Sequence, residues 1–472
     1  MTDATRCGRV RMTVRTAGAV IFAAVLTSAP ALAITPPTVD PTVPPPSGAP
    51  GPVAAMEQRG DCVRSDILPG SDFSSPTAGQ RMLDLPAAWQ FSRGEGQTVA
   101  VIDTGVRPGP RLGAVDPGGD YIGTTDGLTD CDGHGTLVAG IVAGQPGPDG
   151  FAGVAPAARL VSLRVASASV SPRAVGDDPR TARVSTEITA LARAIVHAAD
   201  LGARVITIPM SSCLPADRNV DQTALGAALR YAAVEKDALI VAAAGDTGQA
   251  GSTGGAQACE SNPLTDPSRP EDPRNWAGVT SLSVPSWWHP YVLSVASLSS
   301  NGQPSGFTMA GPWVGVAAPG ETVVSVSNRD DGGLANALPG NQGRLVTLSG
   351  TGYAAGYVAG VAALVRSRYP ELTALQAAHR IVATAHNSAR APSDLVGTGI
   401  IDPVAALTWE LSPLPAGDMS PAKKISPPAP TPREDPAPRV VALAGTALLA
   451  GLVVAVATGA AAAARRRKES QQ

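Results

Sequence analysis

From Thr98 onward the chain alternates short apolar runs with longer stretches whose apolar positions recur at helical spacing. The runs Thr98–Ile102, Arg159–Val165, Arg204–Ile208, Leu239–Ala243, Val292–Ala296 and Val314–Ala318 predict strands. Between them, Gly135–Gly144, Thr186–Leu201, Asp221–Lys236 and Tyr353–Arg368 predict helices. Strands that are nearly all apolar are covered on both faces, so the pattern predicts an α/β fold with a doubly wound parallel sheet and helices on both sides. In such folds chemistry collects at the carboxyl ends of the strands.

The two ends of the chain follow other patterns. Residues 1–33 place Arg6, Arg9, Arg11 and Arg15 ahead of an apolar run that closes on Ala31-Leu32-Ala33, the order of a secretory signal peptide. Residues 440–464 carry no charge and as a helix would extend about 37 Å, enough to span a hydrocarbon core of about 30 Å with tilt. Arg465, Arg466, Arg467 and Lys468 follow at once, and the basic tail 465–472 is expected to stay in the cytoplasm. The chain is thus expected to be a single-pass protein of the cell membrane with its folded part outside the cytoplasm, on the periplasmic or extracytoplasmic side. Two proline-rich stretches, 34–61 and 411–439, favour extended chain and predict spacers. One folded unit remains, residues 62–410, in which 62–97 form an N-terminal extension.

Composition agrees with this division. Gly (51) and Pro (44) make up about a fifth of the 472 residues, yet 44% apolar residues and a mean hydropathy of +0.08 suffice for a real core. A net charge of −3 provides no basic face for nucleic acid, and that class of partner is excluded. Cys7 falls within the signal peptide, leaving Cys62, Cys131, Cys213 and Cys259, which in an oxidising compartment predict two disulfides. Three pairings are possible. Cys62–Cys131 with Cys213–Cys259 is favoured, because the first bond would pin the N-terminal extension and the second would close a surface loop. No C-x-x-C spacing supports a metal site, and no cofactor is expected.

Candidate chemistry begins at the first predicted strand. Val99-Ala100-Val101-Ile102-Asp103-Thr104-Gly105 sets a carboxylate at the end of a buried run, where it requires a cationic or N–H partner. Asp132-Gly133-His134-Gly135-Thr136 sets a histidine at a glycine-flanked helix start. Together Asp103 and His134 read as an orienting carboxylate and a general base.

With Phe151-Ala152-Gly153-Val154-Ala155-Pro156 following, these motifs resemble those of the subtilisin-like serine peptidases over residues 86–410. Further blocks resemble the mycosins, the membrane-anchored members of that group in type VII secretion systems. These are Ala88-Trp89-Gln90-Phe91-Ser92-Arg93-Gly94, Asp130-Cys131-Asp132-Gly133-His134-Gly135, Pro285-Ser286-Trp287-Trp288 and Asp402-Pro403-Val404-Ala405-Ala406-Leu407-Thr408-Trp409. The resemblance implies a subtilisin-like fold, a catalytic order of Asp, His and Ser, and a type VII secretion membrane complex as partner. It also implies a protein or peptide substrate.

Two positions depart from the family's pattern. The nucleophile's place in the family's G-T-S-x-A-x-P sequence falls on Gly352 in Gly350-Thr351-Gly352-Tyr353-Ala354-Ala355-Gly356, and loss of the nucleophile costs subtilisin about 10⁶-fold in kcat. Where the family commonly has an oxyanion-stabilising Asn, Val241-Ala242-Ala243-Ala244-Gly245-Asp246 ends in Asp246. An ionised carboxylate there would oppose the developing charge by about 5 kcal/mol at an effective dielectric near 20 and a separation of about 3.5 Å. Pro209 has two readings: a third departure, since a proline removes a ladder donor from the strand that resembles a substrate-pairing one, and a harmless strand-end proline. The expected function is that of a catalytically impaired, structural or regulatory member of the secretion machine. The alternatives are an active endopeptidase using another hydroxyl such as Ser349 or Thr351, and a peptide-binding module. Gly352→Ser, alone or with Asp246→Asn, is expected to regain some labelling by a fluorophosphonate probe. His197 is expected to pack a helix, His289, His379 and His386 have no matched role, and Trp287-Trp288 are either a partner surface or core.

Overall fold

A computed structural model of the protein describes residues 34–173, 178–248, 258–266, 268–340, 343–388, 392–411 and 437–469. The predicted signal peptide and residues 412–436 of the second proline-rich stretch lie outside them. Contacts divide the chain into two units, residues 1–412 and 413–472.

The first unit is built on a nine-stranded sheet. Its order is His386–Asn387, Gly399–Ile400, Val314–Pro319, Val292–Leu298, Leu239–Ala243, Val205–Ile208, Thr98–Asp103, Arg159–Arg164 and Val115–Asp120. All pairings are parallel except that of His386–Asn387 with Gly399–Ile400. From Thr98–Asp103 the chain first builds toward one edge and then, from Val205–Ile208, toward the other. The crevice at such a reversal is where α/β sheets hold their sites; Asp103 ends one of its two bordering strands, Pro209 follows the other, and Asp246 lies three residues past the next strand.

The six apolar runs are all strands. The other three lie at the two ends of the sheet, and two of them span only two residues, so none shows an apolar run. Val115–Asp120, with Pro117, Gly118 and Gly119, is the clearest case. The helix predicted at Thr186 begins seven residues earlier, as Pro179–Asp200. Asp178 caps it by accepting from the Thr181 N–H, and Pro179 occupies its first turn, but those turns are too polar to show a period. The predicted Asp221–Lys236 helix is a helix over Thr223–Arg230 that continues as one wider turn, Tyr231–Glu235.

Helix Thr351–Arg368 holds the unit together. Thr351 through Arg366 are all buried, against helix His134–Ala143 and the strands Val205–Ile208, Leu239–Ala243, Val292–Leu298 and Val314–Pro319. Gly and Ala at 352, 354–356, 359, 360, 362 and 363 let neighbours approach on every side; a Cβ on Gly360 would overlap Val154. Near its end Arg366, with a wholly buried side chain, donates to Asp237 Oδ2 (2.8 Å) and to the Leu372 carbonyl (2.7 Å). Asp237 also accepts from Arg204 (2.7 Å) and from the Ala374 N–H.

The proline-rich segment from residue 34 is docked on this unit rather than held off it as a spacer. Gly51 N–H donates to the Asp120 carbonyl (2.8 Å), Val53 N–H to that of Tyr121 (3.2 Å), and the Tyr121 hydroxyl to the Gly48 carbonyl (2.8 Å). Met56–Gln58 pairs antiparallel with Val170–Pro172. Extended chain has no internal hydrogen bonds, which leaves its backbone free to bond sideways to a folded surface.

The second unit contains the helix Ala437–Glu469, within which Gly445–Ala463, of mean hydropathy 2.0, is long and apolar enough to cross a membrane.

Removing Asp237 would leave a buried guanidinium without its charge partner. Asp237→Ala is expected to destabilise the first unit by about 3 kcal/mol, seen as a fall of roughly 5 °C or more in its thermal midpoint. The paired change Asp237→Leu with Arg366→Met should lose less. A loss below about 1 kcal/mol in the single variant would show that the pair is not an anchor.

Candidate active site

Asp103 ends its strand with its side chain wholly buried, and His134 opens the helix His134–Ala143 directly above it. The imidazole Nδ1–H donates to the Asp103 carboxylate, 2.8 Å from Oδ2 and 3.0 Å from Oδ1. Asp103 Oδ1 also accepts from the Thr104 N–H at 2.7 Å. The approach depends on Gly135, whose added Cβ would overlap the Gly105 carbonyl and lie 3.3 Å from Asp103 Cβ. Burial alone would push the His134 pKa down. The charge and hydrogen bond of Asp103, followed by the charges of Asp130 and Asp246, outweigh it and raise the value above the ordinary histidine range.

Asp130, which sequence reading did not single out, fixes this helix start. Its Oδ1 accepts from the Thr104 hydroxyl (2.9 Å) and the N–H groups of Asp132 (3.1 Å) and Gly133 (2.8 Å). Its Oδ2 accepts from the Thr136 N–H (2.9 Å) and hydroxyl (2.6 Å). These donors include backbone groups that a helix start leaves without partners. Burial raises the Asp130 pKa, against the lowering by the Thr136 hydrogen bonds.

On the far side of His134 lies Gly352, in the first turn of Thr351–Arg368. A Cβ on Gly352 would sit 3.1 Å from His134 Nε2 and 3.2 Å from Cε1. The same Cβ would come well inside 3.0 Å of the Pro209 carbonyl oxygen, closer than carbon and oxygen can pack. Pro209 therefore lies just past its strand, which ends at Ile208, and faces Gly352 with its carbonyl. Tyr353, fully buried, packs its ring 5.0 Å from the imidazole.

The Asp246 side chain turns to the start of the helix that carries Gly352. Its Oδ1 accepts from the Thr351 N–H (3.0 Å) and hydroxyl (2.8 Å), so it caps the N-terminus of Thr351–Arg368. A carboxylate at that position is favourable, because the first turn of a helix presents unpaired N–H groups and a positive dipole end. The Thr351 hydroxyl in turn accepts from the Gly245 N–H at 3.2 Å.

The four cysteines of the first unit's described residues pair as Cys62–Cys131 and Cys213–Cys259, the favoured pairing. The first bond joins the N-terminal extension to the chain three residues before His134. The second links the segment after Pro209 to Cys259, whose N–H donates to the Asp246 carbonyl (2.8 Å). A cleft of about 740 Å³ adjoins His134, with Val165, Ile208, Met210, Leu338 and Val346 among its walls.

Asp103, His134, Asp246 and Gly352 thus converge at one place, and the remaining candidates lie elsewhere. His197 belongs to helix Pro179–Asp200, where partial burial lowers its pKa. His289 packs on Trp276, and His386 pairs with Asp402. Trp288 is core, and both indole N–H groups of Trp287 and Trp288 donate to Gln222 Oε1, at 2.8 and 2.9 Å. Among the described residues no cluster of three or more His, Cys, Asp or Glu is placed to hold a metal ion.

The profile of the Subtilase family, Peptidase_S8, matches residues 94–399. Mycosin-3 of Mycobacterium tuberculosis is 64% identical over 443 residues, spanning 94% of this chain and 95% of that protein. A solved structure of the MycP3 protease from the type VII (ESX-3) secretion system superposes with a TM-score of 0.76 at 62% identity, covering 80% of this chain and all of that one. A chain of an intact ESX-5 inner membrane complex superposes with a TM-score of 0.77 at 46% identity, covering 90% of this chain and all of that one. The chain therefore belongs to the subtilase family of peptidases and, within it, to the mycosins.

Proposed function

We propose that this protein is a catalytically impaired mycosin that serves as a structural or regulatory component of a type VII secretion membrane complex. One observation carries the reading. His134, oriented by Asp103, presents Nε2 toward residue 352, and residue 352 is a glycine. In the serine-peptidase mechanism that nitrogen takes the proton of the attacking hydroxyl. Here there is no side chain to supply one. Asp103 and His134 keep the roles of orienting carboxylate and base, Gly352 has the place of the nucleophile, and Asp246 stands at the oxyanion position.

The neighbouring hydroxyls both hold other contacts. Thr351 Oγ donates to Asp246, and Ser349 Oγ accepts from the Thr322 N–H at 3.4 Å. An active endopeptidase using either residue gains no support from these contacts. The secretion role is supported by the likeness to the MycP3 protease of the ESX-3 system and to a chain of the ESX-5 inner membrane complex. The apolar helix segment Gly445–Ala463, followed by Arg465–Lys468, supports a single membrane span with the folded unit on the periplasmic side and the C-terminus in the cytoplasm.

If the protein acts through its assembled form, chemistry at the His134 site is dispensable. A strain lacking the gene should lose secretion through the cognate system, and an Asp103→Ala, His134→Ala version should restore it to about the level given by the unmodified gene. Restoration below roughly a tenth of that level, with the variant present in the membrane at normal abundance, would favour residual catalysis instead.

A further inference from the structure

The absence of a side chain at position 352 is not an isolated vacancy. Pro209 and Asp246 each approach the start of helix Thr351–Arg368, and each is held in place from behind. The Pro209 carbonyl oxygen lies in the space a Cβ on Gly352 would need. Proline fixes its own φ near −65°, which sets where its carbonyl carbon sits, and the direction of the oxygen is then held by the chain that follows. Downstream, Ser212–Pro215 is pinned by antiparallel pairing with Ser281–Val284 and by the Cys213–Cys259 disulfide.

Asp246 closes the other approach. Its Oδ1 takes the Thr351 N–H and hydroxyl, and its Oδ2 would lie 3.1 Å from a Cβ on Gly350. Its backbone carbonyl accepts from Cys259 N–H, so the same disulfide ties the segments bearing both groups. A backbone carbonyl oxygen and a carboxylate therefore face the turn where a serine nucleophile would need a free hydroxyl and an electropositive pocket.

We propose that Pro209 and Asp246 are positioning residues that hold the site closed around Gly352, so that changing Gly352 alone does not restore a nucleophile. This rests on the reading that residue 352 has the nucleophile's place. It replaces the sequence expectation that Gly352→Ser, helped by Asp246→Asn, regains reactivity. Three groups must change: the hydroxyl must be supplied, the carbonyl must be free to withdraw, and the carboxylate must become a neutral donor.

The test uses the full chain in detergent and a fluorophosphonate probe. In the labelling step a serine oxygen forms a bond to phosphorus as the P–F bond breaks, fluoride leaves, and the hydroxyl proton passes to His134. The Pro209→Ala, Asp246→Asn, Gly352→Ser triple variant is expected to label at residue 352, and Gly352→Ser alone at least ~100-fold more slowly. Gly352→Ala, which adds only the Cβ, should lower the thermal midpoint by about 3 °C or more, where an uncrowded helical glycine would gain stability from alanine. Labelling of Gly352→Ser within about tenfold of the triple variant would overturn the proposal. So would a raised midpoint in Gly352→Ala, or a folded triple variant that fails to label. Labelling of the unmodified chain would instead overturn the reading of impaired catalysis, which separates the two failures.

Discussion

The burial of helix Thr351–Arg368 is the constraint on which the rest of the first unit depends. Its residues Thr351 to Arg366 are all shielded from solvent. A helix in that position cannot choose one apolar face; it must be small and apolar all round, and its sequence of Gly and Ala meets that need. Its own N-terminal N–H groups also require partners in the interior, where each one left unpaired costs about 1–3 kcal/mol. Asp246 supplies one, reaching across 105 residues of sequence to the Thr351 N–H.

That solution has a chemical consequence. A carboxylate at a helix N-terminus stabilises by about 0.3–1 kcal/mol when exposed and up to about 2 kcal/mol when partly buried. The start of this helix is also where, in a serine peptidase of this fold, positive potential would serve an oxyanion, and losing one oxyanion donor costs about 2.7–4 kcal/mol of transition-state stabilisation. Spending the helix terminus on a fixed internal anion thus favours the folded state over the reaction. On the proposed reading, with glycine at 352, no alkoxide forms there for it to oppose. Stability and the proposed loss of catalysis point the same way, and the Asp103–His134 pair is retained within a site organised for packing.

The sheet was legible because its central strands are buried on both faces and read as apolar runs, whereas Val115–Asp120 lies at an edge and carries no such run. Asp103 and His134 were legible because their motifs place small residues exactly where backbones meet, as Gly135 does against Gly105. Gly352 was legible through resemblance to a family motif. What sequence could not give were the contacts made by backbone atoms and by distant partners. No residue type announces that the Pro209 carbonyl will fill the space beside Gly352, or that Asp246 will turn to Thr351. Asp130 stood in plain view beside Cys131, yet its role appears only when five donors converge on it.

The central claim is that no side chain in this protein can form a covalent bond to an acyl group at the His134 site. The most direct measurement is pre-steady-state hydrolysis of an activated peptide ester by the full-length protein, with intact-mass analysis of the quenched reaction. The account predicts no burst of released alcohol and no acyl adduct on the protein. A burst stoichiometric with protein, together with an acyl adduct mapped to a residue beside His134, would contradict it.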